Sequence, residues 1–364
     1  MKLQTLCAAG ALAILTACAG SNAAPPAPLQ SLPLRASAAS QPMATEYSQG
    51  ITSMAFPSHI AAGSDGAMWF TEVNTNSIGR VTHAGRITEF HKGISAFAGP
   101  TGIAEGSDGN IWFAEQGCTL NNPPTLGGIG RITPSGTITE FRQGLHAREQ
   151  PFMMTEGPDG NVWFTIYAHI HEYKIAGRIG RITPDGKIRV FSNGITPQAV
   201  PNEIAAGPDG NLWFTEDNIP GIARITPQGV VTEFRKGLTA HTHPWGIVAG
   251  PDGNVWFTEH TTPIDSVQTS IIGRITPKGV ITEFSTGLSP KAGPFNITNG
   301  PDCNLWFADY GKKGGYGKID MSGKIRTYNN GLSTTSYLYD IAPGPHGTLW
   351  FTELLINRVG KIVF

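Results

Sequence analysis

Charge is scarce in this 364-residue chain: Asp, Glu, Lys and Arg make up 15% of it and nearly cancel, leaving a net charge of −1. There is no basic cluster, which removes the electrostatic case for nucleic acid or an anionic membrane surface as a partner. Long apolar runs are lacking too. The mostly apolar stretch Leu3 to Leu15 is too short to span a bilayer as a helix. Cysteine is limited to four residues, Cys7, Cys18, Cys118 and Cys303. WD-repeat and kelch signatures are absent.

The N-terminus reads as an export signal: Met1-Lys2, the apolar stretch, then Leu15-Thr16-Ala17-Cys18. A small-residue processing site with Cys directly after it resembles the bacterial lipobox, in which the Cys is diacylated and becomes the mature N-terminus. Residues 1–18 are therefore expected to be a lipoprotein-type signal peptide ending at the lipidation site Cys18. The bland alternative is ordinary secretion with Cys18 incidental. The weakly charged, Ala/Pro/Ser-rich stretch that follows cannot bury enough surface to order itself, so residues 19–43 are expected to be a flexible tether. Residues 44–364 form the folded domain.

What the chain has in quantity is glycine, 46 residues of it, and a repeat. Trp-Phe pairs fall at Trp69-Phe70, Trp112-Phe113, Trp163-Phe164, Trp213-Phe214, Trp256-Phe257, Trp306-Phe307 and Trp350-Phe351, spaced 43, 51, 50, 43, 50 and 44 residues. Such a period calls for a repeat architecture, since each unit is too small to bury its own apolar face. One unit reads as four strands. Ile204–Gly207 is an inner strand A, and the turn Pro208-Asp209-Gly210 leads to the alternating strand B, Asn211–Glu216. After a variable loop, Ala223–Thr226 is strand C, and the turn Pro227-Gln228-Gly229 leads to strand D, Val230–Phe234. Seven such units predict an all-β fold, a seven-bladed β-propeller of four-stranded antiparallel blades. Ala44–Tyr47 matches strand D yet follows no A, B or C strand, while the last blade stops after strand C. The N-terminal strand is therefore expected to close the ring.

The short A–B and C–D turns then share the bottom face, and the variable D–A and B–C loops the top, where function is expected. Cys118 falls on top and Cys303 below, so no disulfide is expected. Residues repeated in every blade read as structural. The Trp-Phe pairs suit packing between blades. The series Arg80, Arg131, Arg181, Arg224, Arg274, Lys318 and Lys361 is expected to pair with the acids that end strand B: Glu72, Glu115, Glu216, Glu259, Asp309 and Glu353. The unrepeated residues at the start of strand A ring the mouth of the central channel. Of these, His59, Phe152, Asn202, Glu203, Trp245, Phe295, Tyr339 and Asp340 are the ligand-binding candidates, in a partly apolar funnel with a few polar groups. The open alternative is that the aromatics merely plug the channel. His241, His243 and His260 cluster on top of blade five, and His169, His171 and Glu172 on top of blade three. These groups are candidate acid–base or metal-ligand material, with Glu259 and His260 the metal candidates.

The recurring blocks Gly-Pro-Asp-Gly-Asn-x-Trp-Phe-Thr-Glu, Ile-Gly-Arg-Ile-Thr-Pro and Ile-Thr-Glu-Phe resemble the streptogramin B (virginiamycin B) lyases over about residues 44–364. The resemblance implies a monomeric propeller that opens cyclic depsipeptides by elimination. In that chemistry a His at the top of an inner strand is the base, and Mg²⁺ held by carboxylate polarises the substrate. The chain departs from the family where that chemistry sits. The family's His-bearing segments in the last two blades are here Pro294-Phe295-Asn296-Ile297 and Leu338-Tyr339-Asp340-Ile341. His243, with Glu259 beside it in blade five, is the substitute catalytic pair. Two functions remain open: an exported, lipid-anchored propeller binding a small-molecule, peptide or protein ligand in the top funnel, or a Mg²⁺-dependent lyase acting on a cyclic ester.

Overall fold

In the computed structural model, residues 41–117, 126–146, 149–167, 177–261, 270–289, 292–311, 314–334 and 336–364 are described. They form seven four-stranded antiparallel sheets, each in the order A-B-C-D. Blade seven takes its A, B and C strands from Asp340–Gly344, Thr348–Glu353 and Arg358–Val363, and its D strand from Met43–Tyr47. The closing register runs from Met43 opposite Val363 to Tyr47 opposite Val359. The N-terminal strand thus completes the last blade, as its Thr-Glu-Tyr sequence predicts.

Seven apolar clusters hold the ring, one at each junction between blades. Each joins the strand-B Trp of one blade to the strand-B Phe of the next, for example Trp163 with Phe214, and Trp350 with Phe70 where the chain ends meet. All seven strand-B Trp side chains are fully buried. Within a blade the strand-D aromatic stacks on the same indole, as Phe234 does on Trp213 at 5.5 Å. The Gly of Ile-Gly-Arg makes room for the strand-B Phe: a Cβ at Gly79 would lie 2.1 Å from the Phe70 ring.

The repeated charges pair differently from expectation. The strand-C Arg lies opposite Trp rather than opposite the acid that ends strand B, as Arg224 lies opposite Trp213 while Gly221 faces Glu216. Three residues along a strand is about 10 Å, so Arg meets the Asp of the bottom turn instead. The pairs are Arg80–Asp65 (2.6 Å), Arg131–Asp108 (3.7 Å), Arg181–Asp159 (3.1 Å), Arg224–Asp209 (3.3 Å), Arg274–Asp252 (3.6 Å) and Lys318–Asp302 (2.9 Å). The same Asp accepts from the indole, as Asp209 does from Trp213 Nε1 at 2.9 Å, and the cation lies over the ring, Arg224 at 5.5 Å. The strand-D Glu is a clamp: Glu233 accepts from both the N–H and the hydroxyl of Thr196, at 2.6 and 2.5 Å, and so fixes the D–A loop. Equivalent clamps join Glu89 to Thr52, Glu140 to Ser95 and Glu283 to Thr239.

Cys303 corrects a second expectation. It occupies a left-handed turn position (φ 59°) where the other bottom turns have Gly, is exposed there, and is disulfide-bonded. Cys7, the lipidation candidate Cys18 and Cys118 lie outside the described residues, as do the signal peptide and residues 19–40 of the tether.

Candidate functional site

A β-bulge builds the top of the channel. In blades one to six the A–B register shifts directly after the strand-opening Pro (Gln150-Pro151 in blade three), for example between Pro201 and Ile204 and between Pro244 and Ile247. Two residues per blade are thereby displaced from the ladder and their side chains re-aimed. In blades one, three, four and five the Thr of the Trp-Phe-Thr sequence ties the bulge down and links it to the next blade. Thr258 Oγ1 accepts from Gly246 N–H at 2.9 Å and donates to the Phe295 carbonyl at 2.5 Å. Thr215 does the same between Glu203 and Trp245, and Thr165 between Met153 and Asn202. Thr352 links Asp340 to Ser58 and so carries the scheme across the ring closure.

Phe152, Trp245 and Phe295 from the first bulge positions, with Tyr339 of the unbulged blade seven and His59 from the second bulge position of blade one, form a continuous aromatic arc. Trp245 and Phe295 rings are 4.5 Å apart, Phe295 and Tyr339 4.7 Å, Tyr339 and His59 5.2 Å, and His59 and Phe152 6.2 Å. Tyr310 and Tyr337 extend it outward, Tyr310 lying 5.6 Å from Phe295 and 5.8 Å from Tyr337. Phe295 is 8% exposed, while Phe152, Trp245 and Tyr339 keep part of their faces at the surface. Asn202, at the same level in blade four, is buried with neither amide atom hydrogen-bonded.

Beneath the arc, the second bulge residues line a cavity of about 340 Å³ that runs along the A strands. His59, Glu203, Asn296 and Asp340 border its upper end. His59 is buried and held neutral, its pKa lowered to about 3 by burial against a smaller opposing hydrogen bond with the Thr101 backbone. Its Nδ1 lies 2.9 Å from the Ser58 hydroxyl. With both edges of the ring engaged, His59 is a fixed wall of the site. Burial raises Asp340 to about 6, opposed by the N–H groups of Ile60 and Ile341 and by the Asn296 amide, which all donate to it. Burial, and then the Asp340 charge, push Glu203 well above the usual carboxylate range.

The blade-five candidates separate. His243 and His260 are opposite each other across strands A and B, with rings 6.2 Å apart. His243 Nδ1 is 2.6 Å from the carboxylate of Asp217, at the end of blade four's strand B. Glu259 turns to the other side of the sheet, where it is fully buried and accepts from the Thr242 hydroxyl. The partner of His243 is thus Asp217, not Glu259. Glu259 and His260 are consecutive on one strand and face opposite ways, so they do not converge on one ion. Among the described residues no group of three or more His, Cys, Asp or Glu is arranged to hold a metal ion, and those residues do not fit Mg²⁺. His169, His171 and Glu172 lie outside the described residues.

Sequence reasoning passed over Asp217, Tyr310 and Tyr337. The signal for Tyr310 was available, since it follows Asp309 as His260 follows Glu259 and so sits at the same level of the funnel. Asp217 carries no such mark, because its contact is with a neighbouring blade.

A closed propeller with its variable residues gathered at the top of the inner strands is the architecture of propeller lyases and related binding proteins. The virginiamycin B lyase family matches residues 39–171 and 123–330, and the chain belongs to that family. Among solved structures, it is similar to a streptogramin B lyase, at 29% identity and TM-score 0.73, covering 88% of this chain and 97% of that one. It is similar also to a catalytically inactive histidine-to-alanine variant of virginiamycin B lyase from Staphylococcus aureus with quinupristin, at 32% identity and TM-score 0.73, covering 89% and 100%. No curated protein matches the chain.

Proposed function

We propose that this protein is an exported, lipid-anchored propeller that binds a small-molecule or peptide ligand on its top face without running the family's elimination. The observation that carries this reading is the aromatic arc. At the positions where the resemblance calls for histidine stand Phe295 and Tyr339, packed against each other and against Trp245 and His59. Neither is a base at neutral pH. The Tyr339 hydroxyl is raised out of reach by burial and by the nearby Asp340 charge. What the arc offers instead is a broad, rigid aromatic surface with the tyrosines Tyr310 and Tyr337 at its edge, suited to apolar and aromatic parts of a ligand.

A second reading has its own observation. The Asp217 carboxylate on His243 Nδ1 fixes the imidazole so that Nε2 carries the lone pair, the arrangement of a general base with its orienting acid. On this reading the protein opens a cyclic ester from the blade-five side of the funnel. Calorimetry and mass spectrometry on the same sample, with quinupristin as the probe, separate the two. Binding with intact quinupristin supports the first. Turnover that disappears in His243→Ala supports the second and overturns the first.

Export and anchoring rest on the sequence Leu15-Thr16-Ala17-Cys18. The protein acts as a monomer on this proposal, its membrane contact made by the lipid alone. Among the described residues no helix is long and apolar enough to cross a membrane.

A further inference from the structure

Below the aromatic arc, the central channel has a chemistry that the top-face reading does not use. We propose that it is a binding site for a linear polyammonium ligand, held by Glu203 and Asp340 at the inner end and by Glu105 and Glu156 at the mouth. All four carboxylates border the same cavity of about 340 Å³, and neither Lys nor Arg is among the residues lining it. His59, the one basic side chain there, is kept neutral. The upper end lies under the packed aromatics, whereas Glu156 and Pro343 at the lower end are exposed. Entry is therefore from the bottom face.

Two carboxylate oxygens in this channel point to a missing donor. Glu203 Oε2 and Glu105 Oε1 are both shielded from solvent and without a hydrogen-bond partner. Buried acceptors left unmade are costly, and an ammonium group satisfies them with charge-assisted hydrogen bonds. A metal ion is disfavoured because no three His, Cys, Asp or Glu among the described residues converge. The spacing suits an extended chain. Glu105 lies three residues beyond Gly102, the blade-two counterpart of Glu203, which puts the two carboxylate levels about 10 Å apart. The volume equals that of about ten liquid waters, enough for an extended chain of similar atom count.

Spermidine, a linear triamine, is the probe. Titrated calorimetrically into the full chain at fixed ionic strength, it is expected to bind saturably. Glu203→Gln and Glu105→Gln are each expected to weaken that binding about tenfold, the loss of one charge-assisted contact. Net proton release should accompany binding as Glu203 ionises. The groups facing that carboxyl are Asp340, the Tyr339 hydroxyl and neutral His59, none of which supplies a competing positive charge. Saturable binding of Mg²⁺ or Ca²⁺ in place of the amine overturns the assignment, as does absence of spermidine binding or unchanged affinity in both variants. Because the top-face reading is tested with quinupristin, either result can fail without the other.

Discussion

Thr258→Val tests how the fold holds the site. The substitution keeps shape and removes one hydroxyl that is fully buried. That hydroxyl accepts from Gly246 N–H at 2.9 Å and donates to the Phe295 carbonyl at 2.5 Å, so its loss deprives the bulge of blade five of its acceptor and the strand of blade six of a donor. Each hydrogen bond contributes about 1 kcal/mol net, and a buried N–H left unmade costs a further ~1–2 kcal/mol. The expected destabilisation is about 2–4 kcal/mol, which for a domain of this size lowers Tm by roughly 3–6 °C. Urea unfolding followed by circular dichroism measures it. Two blades supply an internal comparison, because Ala114 and Ala308 stand where the others have Thr. Thr71→Val and Thr165→Val should therefore resemble Thr258→Val. A loss below about 0.5 kcal/mol at Thr258 refutes the argument that these hydroxyls secure the bulges.

Other consequences follow from the same geometry. Trp350→Ala, at the junction where Trp350 packs with Phe70, should cost about 3–5 kcal/mol, measured by urea unfolding; a loss under about 1 kcal/mol contradicts a packed ring closure. Stability should fall as pH rises. Burial, with the neighbouring strand-D Glu adding to it, raises Glu72 and Glu115 to about 9 in the fold. A raised folded pKa contributes stability that is full below the unfolded value of about 4.3 and is lost as pH climbs through about 9. The urea midpoint should accordingly be higher at pH 6 than at pH 9, and a flat or rising profile speaks against protonated strand-B acids. Cys18→Ser should abolish incorporation of labelled fatty acid in a bacterial host; persistent labelling rejects lipidation at that residue.

The fold was legible because its determinants are local and repeated. Gly at the turns and alternation in strand B act within one blade, the recurrent Trp-Phe repeats one contact at every junction between blades, and the orphan strand ending at Tyr47 disclosed how the ring closes. The Arg series shows where such reading stops. Both candidate partners recur in six of the seven blades, and only register places Arg224 beside Asp209 rather than Glu216. The bottom-turn Asp is thus shared between a cation and an indole, a role its place in a hairpin turn had hidden. At the site, the same periodicity located Phe152, Trp245, Phe295 and Tyr339, which share one position per blade, and His59 one residue further on, but not Tyr310 and Tyr337. It could not pair His243 with Asp217, which belong to different blades, nor show that His59 is held neutral by burial. Those are facts about neighbours rather than positions.

On the proposed reading the top face binds and does not eliminate. Incubating the purified protein with quinupristin and Mg²⁺, then examining the product by mass spectrometry and fragmentation, tests it most directly. The cyclic compound should be recovered intact, bound but unopened. A linear product of unchanged mass, formed by elimination at the ester, contradicts it and moves the base to a histidine outside Phe295 and Tyr339.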